Sequence, residues 1–374
     1  MIFNKPKEKI RLGDVDYGIL YTLFILLAVG IVMVYSASSF YAMFHNNDSM
    51  YYLKRQSLFT VIGLIAMAFM IKFDYHRLRS LTTKLLIITI PLLFAVFFFP
   101  AVNGAKRWIQ IGALSFQPSE LAKYVVVLFL AMSIDLKGDG IKEFWKGIVP
   151  YLGVAGIFAA MVLAEKNLSI AAIIMIVTFI LLFVAGGRIK HLFGIVFPAL
   201  LTLALFFIFS SDYRRARMLN FTNPWKDAAG DGYQLIQSFY ALGSGGITGL
   251  GLGQSRQKIL YMPEPHNDFI FAIIGEELGL IGCLFVIALF VIFIWRGIKV
   301  AIKAKDTYGK LLATGITSII AVQAIINIAV VTGSMPVTGV PMPFISCGGT
   351  SLVINLTAMG ILLNISRQVE GKME

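Results

Sequence analysis

The chain has 374 residues, 58% of them hydrophobic and only 14% charged, with a formal net charge of +12. A soluble domain carries nearer a quarter charged residues. A chain this apolar lacks the polar surface to cover a globule, so lipid is its solvent. A water-soluble enzyme is excluded, and a nucleic-acid partner is disfavoured because no basic domain stands outside the apolar segments.

Residues 1–16 form a polar, basic tail, and Tyr17 to Ser36 is then apolar over a full span. About 20 such residues cross about 30 Å of hydrocarbon. The polar lead is long and no small-residue cleavage site follows, so this is not a removable signal peptide. Similar runs recur at 56–71, 85–100, 119–134, 148–164, 168–185, 192–210, 269–295, 311–332 and 350–366. In oil, backbone amides must pair within the segment, so these runs are helices. The pattern predicts an all-α polytopic membrane protein of about ten transmembrane helices, with one membrane domain over 1–374. Its tails, 1–16 and 367–374, lie in the cytoplasm, and a long extracytoplasmic loop, 211–267, joins helices seven and eight. Twenty of the 32 Lys and Arg fall in the tails and loops that this topology puts inside, and five in the short outside loops. That asymmetry supports N-in and C-in. The basic excess reads as topology and contact with anionic lipid. Cys283 and Cys347 belong to no CxxC or Cys/His cluster, and two free thiols are expected.

Four segments carry residues capable of chemistry. Lys106, Arg107 and Trp108 share a short outside loop. Adjacent cations there suit a phosphate, or serve as an interfacial anchor. Pro118 and Ser119 then open a helix in which Glu120 and Lys123 share a face. Charges at that depth face a protein interior or a wet cavity, either as a structural ion pair or as a site wall. The long loop carries Arg214, Arg215, Arg217 and Lys258, the stretch Tyr233–Leu242, which fits a short amphipathic helix, and a glycine-rich run from Gly243 to Gly253. Those glycines let backbone approach a ligand or another helix closely. Glu264, His266 and Asp268 cluster where this loop meets span eight, with Glu276 and Glu277 about two turns deeper. Asp268 reads either as a partly desolvated general base or as the N-cap of that span. His266 is too isolated to read as a metal ligand. Finally, Pro336, Pro341, Pro343 and a Gly-Gly pair preclude a regular helix, which predicts a broken or re-entrant segment with Ser346, Thr350 and Ser351 as hydrogen-bond donors. A tight turn is the alternative.

These motifs together resemble one family, the SEDS proteins (shape, elongation, division and sporulation) of the FtsW, RodA and SpoVE types. The resemblance runs from Ile31-Val-Met-Val-Tyr-Ser-Ala-Ser38 through KRWIQIG, FQPSELAK, GYQLIQS, the segment ending HNDFIFAIIGEELG, and PVTGVPMPFISCGGTS. Tyr240 to Gly279 looks closer to the FtsW and SpoVE types. Glu165-Lys166-Asn167-Leu-Ser169 departs from the pattern, since many members have Pro where Lys166 stands.

The resemblance implies a peptidoglycan glycosyltransferase of the bacterial cytoplasmic membrane, polymerising lipid II beside a class B penicillin-binding protein and other divisome or elongasome proteins. It serves division, sporulation or cell shape. It maps the family's essential carboxylate to Asp268 and the QPSExxK pair to Glu120 and Lys123. In the mechanism expected, Asp268 deprotonates an acceptor hydroxyl that attacks the donor sugar with inversion. The pyrophosphate is stabilised by Lys106, Arg107, Arg214, Arg215, Arg217 or Lys258, or by Mg or Mn. Trp108, Glu264, His266, Ser346 and Thr350 are supporting candidates. A lipid II flippase and a non-catalytic scaffold are the alternatives.

Overall fold

The computed structural model describes residues 13–102, 104–112, 114–210, 212–230, 232–259 and 261–370. The basic residues Lys5, Lys7, Lys9, Arg11 and Lys372 lie outside the described residues. Helix α1 (Tyr17–Asn46) starts on Asp16, whose carboxylate accepts the Ile19 amide at 3.1 Å, an N-cap bond. Helices α2 (Tyr51–Lys72) and α3 (His76–Ala95) follow. Two short strands, β1 (Ile109–Ile111) and β2 (Leu114–Phe116), pair antiparallel with Ile109 opposite Phe116. This hairpin is a brief addition to a fold that is otherwise all-α, as expected. Its alternation, Ile109-Gln110-Ile111, is too brief to register against the helical pattern.

Helix α4 (Pro118–Lys137) carries Pro118 in its first turn, as the sequence predicts. Next come α5 (Val149–Ala164), α6 (Leu168–Val184), and the short α7 (Ile189–His191), which runs on into α8 (Phe197–Phe209). The long loop is not open chain, for it holds α9 (Asp212–Thr222) and α10 (Tyr233–Gly245). Helices α11 (Ile270–Lys303), α12 (Thr307–Val331) and α13 (Gly349–Glu370) complete the fold.

Among the described residues, eight helical segments are long and apolar enough to cross a membrane. The 17-residue α6 and the 20-residue α4, which carries Glu120, Lys123, Asp135 and Lys137, bring the crossings to the ten expected. An even number returns the chain to the side it left, and the described ends do meet. The Gly13 amide donates to the Arg367 carbonyl at 2.9 Å, and the Asp16 amide donates to Ser366 Oγ at 3.0 Å. Arg296, near the end of α11, pairs with Asp16 at 2.9 Å. This face also carries Lys72, Arg77, Arg79 and Arg367, which marks it as cytoplasmic. At about 1.5 Å per residue, the 34 residues of α11 then put Ile270 at the outer face.

Helices α12 and α13 sit centrally, while α8 has no buried residue and lies at the rim. The central position explains why α13 tolerates polar side chains. Asn355 accepts from Tyr124 Oη at 2.8 Å, Asn364 donates to the Ile71 carbonyl at 2.8 Å, and Gln368 donates to Asp74 at 3.1 Å. Helix α13 lies close along α2, where a Cβ on Gly360 would stand 2.5 Å from the Met67 carbonyl oxygen. Small residues at such crossings let backbones approach in lipid, where no hydrophobic force pulls helices together.

Candidate active site

Of the segment predicted to break the helical pattern, residues 332–348 form no regular element, whereas Gly349, Thr350 and Ser351 already belong to α13; Val340, Met342, Phe344 and Ile345 are nonetheless buried. Non-helical backbone survives at this depth only when its polar groups are met by protein. Here they are met by α2, α12, the segment's own Ser346 and the segment that carries Asp268. Ser346 Oγ donates to the Asn267 carbonyl and accepts the Met342 amide, both at 2.7 Å. The Cys347 amide donates to the His266 carbonyl at 2.9 Å. Asn327 of α12 donates to the carbonyls of Asp268, at 2.7 Å, and Val340, at 2.8 Å. Gln56 of α2 donates to the Ser346 carbonyl at 3.3 Å.

Asp268 is thus fixed by its backbone at the outer end of the bundle, and its side chain is half-buried. It precedes Phe269, the residue at the cap position of α11, so it is not the N-cap of that helix. Its carboxylate lies beside the bare Cα of Gly339, where a Cβ would stand 3.2 Å from Oδ2. Glu264 adopts a left-handed backbone, φ 45°, and accepts from Asn267 Nδ2 at 2.8 Å, closing the turn that presents Asp268.

His266 is 1% exposed and packed at a tilt against Tyr52 and Tyr41, with ring centroids 4.1 and 5.6 Å away. Burial holds its pKa down at about 4, so it is a neutral packing element and not a proton acceptor at neutral pH. Ser346 spends both its donor and its acceptor on backbone, while Thr350 Oγ1, Thr338 Oγ1 and Asn327 Oδ1 are buried without a partner. Unsatisfied buried groups are uncommon, and these three lie on the segments around Asp268.

Glu120 and Lys123 pair at 3.0 Å within α4, and Ser351 of α13 donates to Glu120 at 2.6 Å. Lys123 is 1% exposed. The pair joins α4 to α13 and braces the start of α13, where the broken segment ends.

The cations expected to meet a phosphate are dispersed. Arg107 donates to the carbonyls of Glu165 and Lys166, at 3.4 and 2.5 Å, tying the strand hairpin to the α5–α6 turn. Lys106 is exposed and donates to the Phe97 carbonyl at 2.8 Å, and Trp108 is half-buried. Arg214 and Arg215 ride on α9, which packs on α8 and the turn at Pro224–Asp227, and the Arg217 side chain lies outside the described residues. Lys258 is buried and bonded to Glu277 at 2.7 Å, so it is engaged internally instead of facing a ligand. Among the described residues, no group of three or more His, Cys, Asp or Glu could hold a metal ion.

Asn327, which the sequence offers ahead of the broken segment, is the residue that bonds both walls. The burial of Glu165 escaped the sequence reading. Glu165 is a buried carboxylate whose oxygens have no partner, and burial, opposed by Ser119 and Arg107, pushes its pKa up to about 8. The glycine run serves a helix: α11 breaks at Gly279 (φ 66°), and residues 246–251 fill the gap. The Leu250 and Gly251 amides donate to the Glu276 and Glu277 carbonyls, and Leu280 and Ile281 donate to Gly246 and Ile247, over 2.9–3.2 Å. A Cβ on Gly249 would stand 2.2 Å from the Glu277 carbonyl oxygen.

Comparison with known proteins bears on the whole chain. Residues 17–371 match the family described as cell cycle protein, of the FtsW, RodA and SpoVE types. Stage V sporulation protein E of Bacillus subtilis (strain 168) is 45% identical over 349 residues, covering 92% of this chain and 94% of its own. A "Probable peptidoglycan glycosyltransferase FtsW" of Geobacter sp. (strain M18) is 40% identical over 365 residues, covering 96% and 99%. Among solved structures, a chain from a peptidoglycan synthase complex that coordinates polymerization and crosslinking superposes with a TM-score of 0.79 at 28% identity, over 96% of this chain and 99% of that one. The rod shape determining protein RodA of Thermus thermophilus gives 0.71 at 25%, over 96% and 98%. With its breadth of match, its ten crossings and its motifs in order, this chain belongs to the FtsW/RodA/SpoVE family of multi-pass membrane proteins.

Proposed function

We infer that this chain is a peptidoglycan glycosyltransferase that polymerises lipid II at the outer face of the cytoplasmic membrane. The names of its FtsW relatives support the reaction class. The observation that carries the residue assignment is Asp268, a half-buried carboxylate at the outer end, held through its own carbonyl by Asn327. Lipid II keeps its undecaprenyl tail in the bilayer while its sugars stand outside, and Asp268 is at the depth where the two meet.

In the proposed reaction the Asp268 carboxylate takes the proton of the acceptor sugar's 4-hydroxyl as that oxygen attacks the donor's anomeric carbon. The bond to the undecaprenyl pyrophosphate breaks on the opposite side and the configuration inverts. A positioned base of this kind contributes about 10²–10⁴-fold. Thr350, whose buried hydroxyl is unpartnered, is a candidate to bond the sugar. Lys106, exposed at the outer loop, is the candidate cation for the pyrophosphate. Among the described residues no acidic cluster is built to hold a metal on its own, so magnesium or manganese, if used, is proposed to come bound to the pyrophosphate. The partner is proposed to be a class B penicillin-binding protein, in keeping with the synthase complex whose chain superposes on this one.

The test is glycan synthesis from purified lipid II. Asp268→Asn is expected to lower polymerisation by at least about a hundredfold while the protein stays folded. Full-length strands from that variant would remove Asp268 from the role of base. Lipid II sidedness followed in vesicles with the same preparation separates transport from polymerisation.

A further inference from the structure

The outer loop folds back and plugs into α11. Lys258 Nζ donates to Glu277 Oε1 at 2.7 Å and to Ser36 Oγ of α1 at 3.1 Å. Ser36 in turn donates to the Glu277 carboxylate at 2.7 Å. The neighbouring Glu276 accepts the Arg256 amide at 2.8 Å, the Gln257 amide at 3.4 Å and the Ser255 hydroxyl. Lys258, Glu276, Glu277 and Ser36 are all buried. Two carboxylates and an ammonium at this depth are costly, and such groups in membrane proteins serve a defined task. They bind the outer loop to the first turns of α11, just before its break at Gly279.

The path between clamp and base is short. The chain leaves the clamp at Lys258, turns through bonds from the Ile259 amide to the Arg256 carbonyl and from the Met262 amide to the Gln257 carbonyl, and reaches Asp268 ten residues later. It then re-enters α11 and descends to Glu277. This closed circuit is pinned at its top by Asn327 and Ser346 and at its bottom by Lys258 and Glu277. We propose that the Lys258–Glu277–Ser36 clamp is a positioning device for Asp268, holding the base of the circuit so that the carboxylate stays in register with the sugar. The proposal rests on the assignment of Asp268 as the reacting base. A misplacement of about 1 Å in such a group costs about a hundredfold in rate.

The charges are coupled, so removing one partner strands the other. The experiment therefore uses the full-length protein with Lys258→Met, Glu277→Gln and the double variant, read in two ways. In polymerisation from lipid II, each single change is expected to lower kcat about ten- to a hundredfold with KM within about twofold. The double change strands no charge yet still lacks the clamp, so it is expected to stay slowed to a similar degree. Full recovery in the double would mean that a stranded charge, and not the lost clamp, lowers the rate, and a rise in KM would mean that Lys258 contacts the pyrophosphate; either overturns the proposal. Hydrogen exchange needs no activity: amides of residues 268–278 are expected to exchange at least about tenfold faster in the singles and in the double. Unchanged exchange in the singles overturns the clamp whatever the reaction proves to be. A Lys258→Met protein that does not fold leaves Ser36→Ala, which removes one bond to each partner and is expected to show the same signs at smaller size. If Asp268→Asn polymerises normally while exchange responds as described, the clamp stands and the assignment of the base falls.

Discussion

At the scale of single residues, environment decides role more than residue type does. Asp268, Glu264 and Glu165 are all carboxylates at the outer end of the bundle. One is half-buried beside Gly339, one closes a turn, and one is buried among groups that do not satisfy it. His266, two residues from Asp268, would pass for a proton shuttle in sequence, but its ring is packed against those of Tyr41 and Tyr52. Because its pKa is depressed from 6.5 to about 4, the unfolded chain binds the proton first as the pH drops. Its contribution is complete above about pH 6.5 and is lost as the pH falls toward about 4, by roughly 3 kcal/mol at most. Thermal melts between pH 7.5 and 4.5 are expected to show this loss in the wild type and a flatter profile in His266→Gln. An equal slope in both would mean that His266 is not the titrating group.

At the scale of elements, the break in α11 matters most. Gly279 has φ 66° and ψ −166°, and a Cβ there would stand 2.4 Å from the Gly249 amide nitrogen. Gly279→Ala therefore meets both a backbone strain of about 1–3 kcal/mol and a clash with backbone that has nowhere to move. A destabilisation of more than about 2 kcal/mol is expected, with protease cleavage appearing in residues 246–259 before the helices are cut. A variant as stable as wild type would show that the loop does not need its seat on α11. The hairpin at Ile109–Phe116 makes a related point, since Arg107 is committed to the carbonyls of Glu165 and Lys166.

At the scale of the whole molecule, ten crossings are held together by close backbone approach and by a few polar bonds. The described termini are joined through Gly13, Asp16, Ser366 and Arg367. The face of α2 against α13 depends on Gly63 and Gly360, where added Cβ atoms would stand 2.4 Å from the Leu356 side chain and 2.5 Å from the Met67 carbonyl oxygen. Gly360→Leu would force the helices apart, at a cost of about 1–3 kcal/mol for overpacking. Since α2 also holds Gln56 against the Ser346 carbonyl, the change is expected to reach the outer end. Loss of folded yield, with the Cys347 thiol becoming reactive to a polar alkylating reagent, checks this; an unreactive thiol in the folded variant would confine the damage to the helix pair.

The spans, their order and the matching sides of the two ends were legible in the sequence, because lipid imposes a length and an apolar composition that each segment satisfies alone. The broken segment announced itself by Pro341, Pro343 and Gly348-Gly349, and the helix at Tyr233 by its spacing. The family, too, was written in motifs that run in order along one chain. Only the tertiary structure decided which polar groups face one another. Lys258 met Glu277 across 19 positions, Asn327 met Asp268 across 59, and Ser351 met Glu120 across 231. Hydropathy is a property of neighbours in sequence, whereas a hydrogen bond needs a donor and an acceptor within about 3 Å in space, and that closeness is created by packing.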